Sequence, residues 1–282
     1  MVIRMDLSSI IGIVAGIGFV LFGYSFSGGD IRGLLMMSAF IIVAGGTLGA
    51  VFLSYGANHL KNFPKLIAEV FRKPKSTVND TIDYLVSLSQ TAKQSGLLSL
   101  EKVIMAPGEK GKVDLFLKKG ILSVVDGTDP EKINDLLQNE IYVYEQNKNV
   151  DIAMFDSCAT YSPAFGMIGT IVGLIQMLSA GMSDPEQLTT AIGVAFITTL
   201  YGSLMANCLF TPTATKLRAR LASYRLEKEM IIDAVCAIRN GINPKMLKEQ
   251  LSSYVIQNEK SLPATQRKKT VKKTAANKIA SK

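Results

Sequence analysis

Ser157-Cys-Ala-Thr-Tyr-Ser-Pro-Ala-Phe-Gly-Met-Ile-Gly-Thr-Ile-Val-Gly-Leu-Ile-Gln-Met-Leu-Ser-Ala-Gly-Met-Ser183 runs without one acidic or basic side chain. A helix of roughly 20 apolar residues crosses the hydrocarbon core of a bilayer, and this stretch exceeds that length. Three more stretches share the property: Leu7–Gly29, Gly33–Leu60 and Gln187–Thr215. Apart from Cys and Tyr, His59 is the one ionisable residue within the four, and it sits at an end. The chain therefore reads as an integral membrane protein with four helical spans. If it handles ions, the titrating group comes from elsewhere. Arg4 and the first apolar run also fit a secretory leader. Tyr24–Gly29 is a weak cleavage site, however, and a second apolar run follows at once, so the reading is a span.

Topology follows from Lys and Arg. The loop Ser25–Gly33 holds Asp30 and Arg32, and the loop Ser179–Leu188 holds Asp184 and Glu186 with no basic residue. Lys61–Asp151 is rich in Lys, and the chain after Lys216 is strongly basic, which accounts for most of the net charge of +8. The N-terminus, long loop and C-terminus are expected in the cytoplasm, and two tight turns outside. The long loop is nearly balanced in charge, so no nucleic-acid surface is expected. The tail carries Arg267–Lys269 and Lys272–Lys273 among few apolar residues. It reads as disordered, either drawn to anionic headgroups or simply solvated. Cys158, Cys208 and Cys236 match no metal or redox spacing and read as small packing residues.

Between and after the apolar runs the periodicity is that of soluble helix. Phe63, Leu66, Ile67, Val70 and Phe71 form one stripe, closed by Pro74. A second helix is expected from a cap at Asn79–Asp80 to Gly96, continuing through Leu97–Met105. Pro107–Gly108 and Gly111 mark a loop, and Val113–Val125 reads as a helix interrupted at Gly120. Asp129-Pro130 opens a helix with Ile133, Leu136, Leu137, Ile141 and Tyr144 on one side, able to run straight into the third span. Lys216–Asn240 resumes after the fourth span. Gly241 stops it, and Asn243-Pro244 starts a last helix. The expected fold is all-α. A transmembrane hairpin (7–60, spans 1 and 2) precedes a cytoplasmic helical domain (61–151). Spans 3 and 4 (152–215), cytoplasmic C-terminal helices (216–258) and the basic tail (259–282) follow. No internal repeat is apparent.

Spans 3 and 4 carry small residues at helical spacing: Gly166, Gly169, Thr170 and Gly173 in one, and Ala191, Ala195, Thr199, Gly202 or Ser203, and Ala206 in the other. In lipid such faces let backbones approach closely, and threonine hydroxyls add hydrogen bonding at depth. Pattern alone leaves open whether they pack helices or line an ion path. Pro163 and Pro212, near the ends of these spans, free backbone carbonyls that must find partners or line a polar cavity.

Ser162-Pro-Ala-Phe-Gly-Met-Ile-Gly-Thr-Ile-Val-Gly-Leu174 resembles the third-span signature of the flagellar stator A subunits, the MotA/PomA family within the MotA/TolQ/ExbB proton-channel group. Thr198-Thr-Leu-Tyr-Gly202 resembles the fourth-span motif. Gly96-Leu-Leu-Ser-Leu-Glu101, Phe116-Leu117 and Val125-Asp-Gly127 resemble the stator loop. The likeness runs from about Leu7 to Tyr254. It implies a homo-oligomer, a pentamer of A subunits around a B-subunit (MotB/PomB-like) dimer in the bacterial inner membrane. The B span supplies the ion-binding aspartate, which fits spans that lack one. Ion flow turns the A ring, and its cytoplasmic loop pushes on the rotor switch protein FliG. No enzyme activity, cofactor or bound metal is implied.

Residue roles carry over with the likeness. Pro163, Phe196 and Thr199 would face the B aspartate, and Pro212 would serve conformational coupling. Lys93 and Glu101 would contact the rotor; the family usually has arginine at the first, and lysine keeps the charge without the planar fork. Gly166, Gly169, Gly173, Ala195 and Gly202 would pack helices. Thr170 and Thr198 resemble the sodium-driven members, where proton-driven ones often carry alanine or glycine, so the transported ion is read as Na+ ahead of H+. The alternative is an energiser of the ExbB/TolQ type, but those have one span before the large loop where this chain has two.

Overall fold

The computed structural model describes residues 7–72, 78–106, 114–180 and 185–261. Among them the regular structure is helical, as the periodicities predict. Helix α1 is Leu7–Phe26, and a 3-10 turn covers Ile31–Leu34. The second apolar helix is α2 (Met37–Phe40), a π turn (Ile41–Gly45) and α3 (Gly46–Ser54) in unbroken sequence. Then come α4 (Ala57–Val70), α5 (Val78–Ser95), α6 (Ser99–Met105), α7 (Leu115–Val125) and the 51-residue α8 (Pro130–Ala180). Helix α9 (Pro185–Leu204), a π turn (Met205–Phe210) and α10 (Thr211–Arg239) again follow without a break, and α11 is Pro244–Ser261.

Among the described residues, three helical stretches are long and apolar enough to cross a membrane: Ile31–Ser54, Pro130–Ser179 and Pro185–Arg239. α1, with 20 residues, is a shorter apolar helix of about 30 Å. The helix of the second run ends at Ser54, within the charge-free stretch that reaches Leu60. Tyr55 is extended, and α4 opens after Gly56, so His59 belongs to α4.

The chain divides into two compact units. The first holds α1–α4 with residues 148–218, the second residues 74–147 with 219–282. α4 therefore groups with the apolar helices, in the first unit. Its stripe explains why. Leu66 and Val70 are buried, and the Phe63 ring stacks on Phe155 of α8 at 4.7 Å. His59 Nδ1 lies 2.8 Å from Asp151 Oδ1, and Lys148 donates to Glu69 at 3.3 Å. These polar contacts fasten α4 to α8 at the edge of its apolar stretch.

The second unit encloses a core of Leu85 and Leu88 from α5, Leu100 from α6 and Ile121 and Val124 from α7. Ile133 and Leu137 (α8), Met230 to Ile232 (α10) and Leu247 and Leu251 (α11) complete it. Each fully buried aliphatic side chain contributes on the order of 1.5–3 kcal/mol. The predicted interruption at Gly120 is absent, since α7 passes through it. A Cβ there would stand 3.2 Å from both Leu137 Cδ1 and Val235 Cγ2, so this glycine serves packing instead of breaking the helix. Gly96 and Gly241 do end helices, with φ of 81° and 69°. Val78 already lies in α5, which moves Asn79 and Asp80 from cap to first turn. Asn243 accepts from the Lys245 amide at 3.0 Å, the expected cap of α11. Pro74, Pro107–Gly111, the turn at 181–184 and the tail from 262 lie outside the described residues.

Candidate functional site

α8 and α9 meet backbone against backbone. A methyl group on Gly202 would stand 2.5 Å from the Ser162 carbonyl oxygen and 3.0 Å from Pro163 Cα. One on Gly173 would stand 2.6 Å from the Ala191 oxygen and 2.7 Å from the Ala195 nitrogen, and one on Gly166 would stand 3.0 Å from the Thr198 oxygen. Gly169 lies under the Thr198 side chain. A bulkier residue at any of these four positions would push the helices apart.

That closeness brings polar atoms together. Thr170 Oγ1 lies 2.6 Å from Thr199 Oγ1, 3.0 Å from the Ala195 carbonyl oxygen and 3.1 Å from the Gly166 carbonyl oxygen. One hydroxyl carries one proton. One of the two hydroxyls therefore donates across the 2.6 Å contact and the other gives its proton to a carbonyl, Ala195 being within reach of both. Two hydroxyl oxygens and the Ala195 carbonyl thus form a small oxygen cluster on the α8–α9 seam, and Thr199 is exposed. Phe196 is also exposed, at 72%, while Pro163 is half-buried. Thr198 differs. It is fully buried, and its hydroxyl bonds the Val194 and Ala195 carbonyls at 2.9 and 3.0 Å. The structure thus joins Thr170 with Thr199 and gives Thr198 a place in the seam.

Pro212 is exposed near the start of α10. It cannot donate to the carbonyl one turn back, and the turn just before it is wound as π over Met205–Phe210. A wider turn is how a helix absorbs a missing donor without breaking. In the other unit, Lys93 lies in the last turn of α5 and Glu101 in the first turn of α6. Both are exposed, with Gly96 at positive φ between them.

Sequence reasoning missed contacts that join distant positions. Phe165 packs on Gly46, where any Cβ would strike the ring. The Gly45–Gly46 pair in the second apolar run was the available signal. In the second unit Lys228 is buried, paired with Asp114, and lies 4.9 Å from the Phe116 ring centroid and 5.0 Å from that of Tyr224. Burial draws its ammonium down from 10.5 to about 8. Asp114 also caps α7 by accepting from the Phe116 amide. Nothing local in the sequence marks a lysine for burial.

Residues 109–230 match the MotA/TolQ/ExbB proton channel family, and residues 10–96 match the motility protein A N-terminal family. The chain belongs to the MotA/TolQ/ExbB proton channel family. Motility protein A of Treponema phagedenis is 36% identical over 256 residues, covering 91% of this chain and 96% of the relative. An uncharacterized Bacillus subtilis protein, YtxD, is 34% identical over 258 residues, covering 91% and 93%. The structure of the flagellar MotAB stator complex from Bacillus subtilis superposes with a TM-score of 0.80 at 29% identity, over 94% of this chain and 99% of that one. Within the family the chain is of the flagellar stator subunit type, with the motility protein A relatives.

Proposed function

We propose that this chain is the ion-conducting A subunit of a flagellar stator. With a B-type partner, its α8–α9 seam forms an ion path whose use drives rotation and torque on the rotor. The oxygen cluster of Thr170, Thr199 and the Ala195 carbonyl carries the reading. It lies in two apolar stretches without a carboxylate, so a partner's aspartate would complete it. Hydroxyl and carbonyl oxygens are ligands for a hard cation and can replace part of its hydration shell. That chemistry favours Na+ over H+ as the coupling ion, with Thr170 the discriminating residue. Thr198, its hydroxyl given to its own turn, serves packing.

The proposed arrangement has four spans, with the second unit in the cytoplasm of the inner membrane. Five copies surround a B dimer. Exposed Lys93 and Glu101 contact FliG, and Pro212 with its π turn accommodates the movement. The test is the swimming speed of a stator-less host carrying this chain and its B partner, across external sodium at fixed pH and ionic strength. Speed that rises with sodium and vanishes without it is expected. Sodium-independent swimming would assign the proton, and immobility despite full membrane expression would overturn the reading.

A further inference from the structure

Within the Ile31–Ser54 stretch the 3-10 turn and α2 are separated by a short link at Leu35–Met36. The 3-10 turn ends at Leu34, Leu35 leaves the helical region at φ −88° and ψ 87°, Met36 is extended, and α2 begins at Met37. The carbonyl of Leu34 and the amide of Met36 therefore fall outside any helical ladder. One side chain serves both. The Tyr201 hydroxyl donates to the Leu34 carbonyl at 2.5 Å and accepts from the Met36 amide at 3.3 Å. The same ring meets Phe40 edge to face, with centroids 6.4 Å apart and an interplanar angle of 81°.

We propose that Tyr201 is a positioning residue of the ion path. Its hydroxyl ties the 34–36 link to α9 and thereby holds Thr199 against Thr170. The inference rests on the ion-path reading above and adds a residue to it.

The helical geometry supports the role. Tyr201 follows Thr199 by two positions, about 200° around the helix at 3.6 residues per turn. It therefore occupies the opposite side of α9 from the oxygen cluster. α9 is gripped on one side by the backbone of α8, at Gly202 against Ser162 and Pro163. On the other side it is gripped by the link through Tyr201. Rotation of α9 about its axis would have to break the tie as well as the Thr170–Thr199 bond. Leu34, Met36 and Tyr201 are half-buried, and backbone groups left unpaired in such a place are costly. Met36 adds a second contact, its Cε standing 3.2 Å from where a Cβ on Gly193 would be.

The experiment is Tyr201→Phe, which keeps the ring against Phe40 and removes the hydroxyl. Two readouts are needed. The first is swimming speed in the stator-less host with the B partner, against external sodium at fixed pH and against pH at fixed sodium. The ion concentration for half-maximal speed should rise about fivefold, the population change one net hydrogen bond supports. Membrane level and co-purification with the B subunit should stay native. A purely structural role would lower the amount of complex and leave the half-maximal concentration unmoved; that result overturns the positioning role. The second readout is amide exchange in the purified complex, over the peptide spanning residues 31–40. Faster exchange there in Y201F is expected, and native protection would overturn the tie itself. If the native protein swims without dependence on either ion, the ion-path reading fails while the exchange result still decides the tie.

Discussion

Gly202→Ala inverts what helix propensity alone would give. In an isolated helix the change stabilises by about 1 kcal/mol. Here the new methyl would meet the Ser162 oxygen at 2.5 Å, Pro163 Cα at 3.0 Å and Ser162 C at 3.2 Å. Ordinary contact begins near 3.4 Å, so the seam must open by about 0.9 Å at that level. All three atoms are backbone, and no side-chain rotation relieves them. Overpacking of this kind costs about 1–3 kcal/mol, which exceeds the propensity gain. Carried one turn along, the same opening stretches the Thr170–Thr199 contact from 2.6 Å to about 3.5 Å, beyond a hydrogen bond. Gly49→Ala is the control, because nothing stands within 4 Å of a Cβ there. The assay pairs single-motor torque from a bead on a flagellar stub with the thermal midpoint of the purified A–B complex. G202A should lose torque and lower the midpoint, while G49A keeps both. Native torque and an unchanged midpoint in G202A would refute the backbone-contact geometry.

Removing Asp114 should hurt more than removing Lys228, because Asp114→Ala leaves a buried ammonium unpaired and strips a helix cap. A loss of about 2 kcal/mol or more is expected for D114A and a change within about 1 kcal/mol for Lys228→Met, read by denaturant unfolding of the complex. The pair also predicts a pH trend. Lys228 is held near 8 in the folded protein and near 10.5 when unfolded, so its burial cost is fully present below pH 8. That cost lessens as pH rises from about 8 toward 10.5, and any advantage of K228M over the native protein should shrink across that window in thermal melts. Thr199→Leu should abolish torque at native membrane levels; loss of the protein from the membrane would instead assign Thr199 to packing. Glu101→Lys should reduce swimming with rescue by a reversed charge on the rotor, and unchanged motility would remove Glu101 from the rotor contact.

The helices were legible wherever a local rule governed them. Asp129-Pro130 announced α8, and the unbroken periodicity carried it into the third apolar run as one helix. Gly96 and Gly241 announced stops because a positive φ is a property of the glycine itself. Gly120 was misread because its reason lies 17 and 115 positions away, in Leu137 and Val235. The small-residue spacing marked the seam that Gly166, Gly169, Gly173 and Gly202 form, and the roles proposed for Thr170 and Thr199 come from the family likeness. What it could not give was the division of labour between Thr198 and Thr199. Adjacent threonines differ by 100° around a helix, and that angle separates a seam residue from an exposed one. The His59–Asp151 pair and the Tyr201 tie span 92 and 165 to 167 positions, beyond the reach of any periodicity.

The π turn at Met205–Phe210 takes up one residue more than an α-helix would over the same rise. The extra residue is absorbed locally, so Thr213, Ala214 and Leu217 keep the azimuth that buries them. Deleting a single residue within Met205–Phe210 would leave a regular α turn with that azimuth retained. The same deletion within α9 would swing those three residues by about 100° from the residues before it. The irregular turn is therefore a place where the chain can lose one residue and keep its contacts, and a one-residue deletion should be better tolerated there than in α9.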